Sequence, residues 1–261
     1  MAEGRTLQRH LRMYINGLDL SSDFLSVGAL SWDYGHEAQA ALNWEIAGGL
    51  CDQATIATGT CNTLLNTGDP AGAHEYLQLM DGELVAVTVP IGIRAAPAAG
   101  DPVWCAMHYA KAKVTPPASG MVTGTADFAP AGETPAGAKL AYDVPWGVLL
   151  HAKGAETAVN TATGIDGGAA STAGGYIVAQ VFAVEGTGTV TIKAQSAATN
   201  SNASFADVAG LTLDFADTDA PSAAVAQAAT TATINRYTRW QIVPDGGITS
   251  VTFALALVRG R

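Results

Sequence analysis

Residues Asn235 to Gly260 read NRYTRWQIV, then PDGG, then ITSVTFALALVRG, and this stretch decides the fold class. A side-chain period of two puts Tyr237, Arg239, Gln241 and Val243 on one face of the first run and Arg236, Thr238, Trp240 and Ile242 on the other. In the second run Thr249, Val251, Phe253, Leu255 and Leu257 share a face, opposed by Ser250, Thr252, Ala254, Ala256 and Val258. Both runs are strands, and the apolar face of the second needs a covering layer. Pro244 and Gly246-Gly247 provide the fixed and positive φ angles of a tight reversal, so the two runs are expected to pair as a β-hairpin closing a packed sheet.

Working back from there, the second half repeats the pattern. WGVLLHAK from Trp146, YIVAQVFAVE (Tyr176–Glu185), GTVTIKAQ (Gly188–Gln195) and LTLDFA from Leu211 all read as strands. The second and third of these are expected to form a hairpin about Gly186-Thr187-Gly188. The Gly-rich segment 164–175 and the polar segment after Gln195 read as loops. About seven short strands in this space fit a β-sandwich of jelly-roll or immunoglobulin-like size.

The first half is also mainly β. Strands are expected at Met13–Leu20, from Phe24, at Ala54–Leu65, Glu83–Ile93, Val103–Val114 and Met121–Phe128, with turns at Asp81-Gly82 and Pro116-Pro117. One helix is expected over His36–Ile46, rich in Ala, Glu and Gln and ended by Gly48-Gly49. Asp143 to Gly147 reads as a junction, dividing the chain into domains 1–145 and 146–261.

Charge narrows the function. Only 14% of residues are charged and the net charge is −10. That balance argues against nucleic-acid binding by phosphate neutralisation. From Met13 to Ile93 there is no Lys or Arg, yet the stretch holds Asp19, Asp23, Asp33, Glu37, Glu45, Asp52, Asp69, Glu75, Asp81 and Glu83. Ala194–Asn235 is likewise free of cations and carries Asp207, Asp214, Asp217 and Asp219. A surface of small, uncharged residues suits a protein packed against its own copies; the alanine bias of a GC-rich genome gives the same composition. Cys51, Cys61 and Cys105 lack metal or disulfide spacing and are expected to be buried thiols. No apolar run of signal-peptide or membrane-span length follows the basic first residues, so synthesis in the cytoplasm is expected.

No standard catalytic spacing is present, and neither an enzyme nor a cofactor is expected. His10, His36, His74, His108 and His151 are scattered and read as ordinary surface or core histidines. Asp214, Asp217 and Asp219 are the best group for Ca²⁺ but lack the glycine and distal Glu of a known loop, so a solvated acidic turn is expected and no metal site is assigned. Arg236, Arg239 and Arg259 could hold an anion; salt bridges within the sheet or to a neighbouring subunit are preferred. Trp32, Trp44, Trp104, Trp146 and Trp240 are too dispersed for a sugar platform.

Taken together, YINGLDLSS, the T-G-T strand, PIGIRAAPAAGDPVW and TGTADFAPAG resemble the tube domain of the major tail proteins of long-tailed bacteriophages. The run GYIVAQVFAVEGTGTVTIKAQSAATNSNASFADV, with NRYTRW and TFALALVRG, is similar to the C-terminal β domain carried by such proteins. The resemblance implies a virion structural protein that stacks with its own copies as rings into a tail tube. It would meet other tail proteins such as the tape measure and the tail terminator, and DNA would cross the lumen without specific binding. The cation-free stretch 13–93 suits an acidic lumen that does not hold DNA. Either the second domain decorates the outside or both halves enter the tube. The alternative function is a capsid decoration or a carbohydrate-binding adhesion module.

Overall fold

The computed structural model describes residues 10–39, 48–64, 72–93, 95–115, 123–131, 146–160 and 163–260, with only the backbone course given for 25–29, 31–39, 48–64, 112, 114–115, 123 and 129–130. The first half contributes β1 (Tyr14–Ile15), β2 (Leu18–Asp19), β3 (Phe24–Gln39), β4 (Gly48–Leu64), helix α1 (Ala73–Leu79), β5 (Leu84–Pro90), β6 (Pro102–Thr115) and β7 (Thr123–Pro130). The second contributes β8 (Trp146–Glu156), β9 (Ile165–Asp166), β10 (Gly175–Glu185), β11 (Thr189–Ala197), β12 (Ala206–Ala216), β13 (Ser222–Gln227), β14 (Tyr237–Pro244) and β15 (Ser250–Arg259). The chain is mainly β with a sandwich-type fold, as its alternating patterns require.

The second half pairs its strands in nested order: β8 with β15, β9 with β14, β10 with β13 and β11 with β12. Further pairing of β10 with β15 and of β11 with β14 completes two four-stranded layers, β13-β10-β15-β8 and β12-β11-β14-β9. This nested wrapping of a long folded ribbon is the connectivity of a jelly roll. Val251, Phe253, Leu255 and Leu257 point between the layers and meet Val190, Ile192, Leu211 and Ile242.

Two expected hairpins are therefore corrected. β14 and β15 lie in opposite layers, as do β10 and β11, so each pair is an arch that crosses the sandwich. Asp245 N–H bonds to Thr189 O at 2.8 Å and Gly247 N–H to Thr187 O at 2.7 Å, so the two arches bond to each other. Alternation specifies a strand and its faces, but a turn sequence is equally compatible with pairing and with crossing between layers.

The expected helix over His36–Ile46 is corrected over its first four residues, His36–Gln39. His36 to Gln39 continue β3 and pair with Cys51 to Gly48 of β4; Ala40 to Ala47 lie outside the described residues. Helix propensity is a weak prior, and the ladder outweighs it. The observed helix is Ala73–Leu79, whose first amide is capped from far along the chain: Ala73 N–H bonds to Asp23 Oδ2 at 2.9 Å. Ala73 and Leu77, four apart, bury the inner face against Met13, Trp104 and Phe128.

The halves share one sheet. Pro102, Val103 and Trp104 of β6 pair with Val148, Gly147 and Trp146 of β8, making an eleven-stranded sheet that runs through both. A third cluster joins Ala86, Val103, Cys105 and Met107 to Leu149, Tyr176, Val178, Ala256 and Val258. This is why β15 is apolar on both faces: one faces the second layer and the other faces the first half.

Candidate functional site

The described surface divides into a seam between the halves, the outer face of the second layer, and a long two-stranded ribbon. The seam begins at Asn16-Gly17, where φ values of 46° and 81° make the turn that joins β1 to β2. A Cβ on Gly17 would sit 2.3 Å from Val181 O and Ser222 N, so only glycine lets this turn press against β10 and β13. Gln180, fully buried on β10, reaches back across the seam. Its Oε1 accepts from Gly17 N–H at 2.7 Å, and its Nε2 donates to Ala86 O at 2.9 Å and Thr88 Oγ1 at 3.0 Å.

Register slips in β10 between Val181 and Ala183, at Phe182. The Phe182 ring meets Tyr14 edge-on at 5.0 Å and lies 4.5 Å from Lys153 Nζ. Lys153 also bonds to Asp19 Oδ2 at 2.8 Å. Burial alone would raise the Asp19 carboxyl, but bonds from Lys153 and Ser21 outweigh it and hold it below its ordinary range. Arg12, Asp19, Ser21, Ser22 and Lys153 line an open recess of about 410 Å³ here. Tyr176 OH donates to Cys105 O at 3.0 Å, and burial pushes the Cys105 thiol up to about 12, consistent with the expected inert buried thiol. The side chains of Cys51 and Cys61 lie outside the described ones.

On the second half the three arginines hold loops. Arg236 forks onto Asp166 with bonds of 2.7 and 2.6 Å, and Arg259 donates to the carbonyls of Ala169, Asn235 and Arg236. The Gly-rich segment is thereby fastened to both closing strands. Arg239 is only 5% exposed; it donates to Gln195 Oε1 and Asn202 Oδ1 and stacks 4.3 Å from the Phe205 ring. Gln195 in turn donates to Asp207, which Lys193 also grips.

The Arg236 fork, followed by the Gly168 N–H, holds the Asp166 carboxyl down at about 2. A carboxylate depressed in the folded state contributes stability above its ordinary pKa, and this is lost as pH falls from about 4 toward 2. The pair is exposed, so the effect is expected to be local. Carboxyl NMR titration should place the Asp166 midpoint near 2, and Arg236→Ala should return it to the ordinary carboxylate range. A midpoint that does not move would refute the assignment.

The aspartates considered for Ca²⁺ do not converge. Asp214 accepts from Thr191 Oγ1, Asp217 from Gly188 N–H and Asp219 from Ala216 N–H, each serving its own strand or turn. No three metal-binding side chains cluster among the described residues. His108 stacks on Trp104 at 4.9 Å inside the first core. His151 stacks on Phe253 at 4.2 Å and lies 2.9 Å from Glu156 Oε1. His10 is buried, His74 lies half-buried on α1, and His36 is known by backbone alone. Trp104, Trp146 and Trp240 are core residues, whereas the Trp32 side chain and Trp44 lie outside the described parts.

The ribbon extends two strands that the sequence announces, those from Phe24 and at Ala54–Leu65, but their continuation to Gln39 and back from Gly48, and their pairing with each other, have no counterpart among the sequence expectations. β3 and β4 pair from Phe24↔Thr63 out to Gln39↔Gly48, but β7 joins β4 only at Gly59–Leu64. Among the described strands, Gly48 to Thr58 therefore have only β3 beside them, and β3 has only β4. The ribbon strands contain Asp33, Glu37 and Asp52 and no Lys, Arg or Pro.

No family model matches the sequence, and no curated protein matches it. Among solved structures, the chain is similar to the Dit (gp 19.1) protein of phage SPP1, described as a paradigm of the hub adsorption apparatus in phages infecting Gram-positive bacteria. The two are 13% identical with a TM-score of 0.33, over 95% of this chain and 98% of that one. It is also similar to a chain of the phage p2 baseplate in its activated conformation with Sr, at 9% identity and a TM-score of 0.29, over 96% and 98%. Overlaps this loose carry no argument about function. No helix among the described residues is long and apolar enough to cross a membrane.

Proposed function

We propose that the chain is a structural protein of a bacteriophage tail that polymerises with its own copies into the stacked rings of a tail tube. The observation that carries this reading is the ribbon of β3 and β4. An isolated two-stranded ribbon is marginal in water, and a long edge without Lys or Pro, and without a covering element among the described residues, invites another chain. A ribbon 16 and 17 residues long is therefore completed by a neighbour. In a head-to-tail contact each copy offers its ribbon forward and receives another behind, which generates rings and filaments. The resemblance of 14–22, 58–60, 90–104 and 123–132 to tail-tube domains, and the cation-free stretch 13–93, support the same role. In this reading the chain is not an enzyme, its further partners are other tail proteins, and DNA passes without specific binding.

Negative-stain microscopy and light scattering of the purified full chain should show rings or tubes forming as concentration rises. A monomer persisting at the highest concentrations would overturn the reading. The second reading, a decoration or carbohydrate-binding module, draws on the jelly roll of 146–260 and instead expects a monomer retained on a glycan array.

A further inference from the structure

Among the described residues, the sheet of β6 and β7 is covered on one side only. Ala110, Ala126 and Phe128 face the first core and α1, while Tyr109, Lys111 and Lys113 alternate with them and stand exposed on the other side. The other described cations are already engaged within the chain: Arg12 with the Leu11 carbonyl, Lys153 with Asp19, Lys193 with Asp207, Arg236 with Asp166, and Arg239 and Arg259 with amide and carbonyl oxygens. Lys111 and Lys113 stand two positions apart on one sheet face and form no ion pair with another described residue; Asp127 of β7 lies opposite Lys111 in the ladder, so the strip keeps one more cation than carboxylates. A ribbon carrying only carboxylates repels a second ribbon and is attracted to such a face.

We infer that the strip Tyr109, Lys111 and Lys113 is the receptor for the acidic β3–β4 ribbon of a second copy of this chain. This rests on the self-assembly reading and specifies its interface. Tyr109 supplies a broad contact surface at the end of the strip, and the two ammonium groups, spaced by one strand repeat of roughly 7 Å, meet the ribbon carboxylates. Because the contact is exposed and ionic, assembly should weaken as salt rises.

The test is the double variant Lys111→Glu/Lys113→Glu in the full chain, followed by microscopy and light scattering across a concentration series. Lys111→Glu would set a carboxylate facing Asp127 on β7, so melting is measured beside assembly. Lys111→Gln/Lys113→Gln, which sets no like charges opposite each other, should melt as the parent does and weaken assembly in the same direction. The assembly concentration of the double variant should rise about tenfold, a change of about 1.4 kcal/mol. Adding Asp33→Lys/Glu37→Lys to the double variant should restore assembly. If the double variant assembles at the parental concentration, or the added swap does not restore it, the inference fails while self-assembly stands. If the parent never assembles, self-assembly itself fails. Loss of duplex-DNA binding by the double variant with assembly unchanged would also overturn the inference and assign the strip to nucleic acid.

Discussion

Phe253→Asp is expected to leave no stably folded chain. Phe253 is fully buried between the two layers, stacked on His151 and edge-on to Trp240 at 5.6 Å. Removing a buried Phe side chain costs about 3–5 kcal/mol, and an unpaired carboxylate in its place adds several more, against a total stability of about 5–15 kcal/mol. The sheet also makes the loss spread. β15 pairs with β8, and β8 with β6, so unfolding the jelly roll strips the first half of its neighbour and exposes Ala86, Val103 and Met107. Circular dichroism and limited proteolysis should show both halves cleaved together; a protease-resistant 146–260 fragment would contradict this.

The second large effect is expected from Gln180→Leu. Leucine is close in volume, so the change chiefly removes hydrogen bonds. Ala86 O keeps a bond from Asn16 N–H at 3.2 Å, but Gly17 N–H and the Thr88 hydroxyl lose the Gln180 partner inside the seam. Each orphaned buried polar group costs about 1–3 kcal/mol, so a loss of about 2–5 kcal/mol is expected. Urea denaturation measures it through a lowered midpoint. An unchanged midpoint would show that water satisfies these groups and that Gln180 does not tie the halves together.

These two residues differ in how far the sequence announces them. Phe253 sits in a run whose alternation marks it as core, and the structure agrees. Gln180 is a single amide inside YIVAQVFAVE; a lone polar side chain in a strand buried on both faces is a signal, but its partners lie about 90 and more positions away at Ala86, Thr88 and Gly17. The same distance hides α1, whose cap comes from Asp23, and disguises the arches, whose turns bond to one another. The ribbon was concealed differently. HEAQ favours a helix locally, and only pairing with residues 48–51 makes it strand. For the arginines, a carboxylate partner was expected and Arg236 has one, whereas Arg239 meets amides under a loop whose path no local pattern encodes.

The backbone bonds of 102–104 with 146–148 also determine how the molecule carries a load. A pull on the jelly roll travels along β8, crosses into β6 and reaches the base of the ribbon through β7 and β4. Every step is a strand-to-strand step within one sheet, and the seam beside it is packed by the third apolar cluster. Load passing between the halves is thus concentrated on three residue pairs of β6 and β8, with the apolar cluster beside them sharing it.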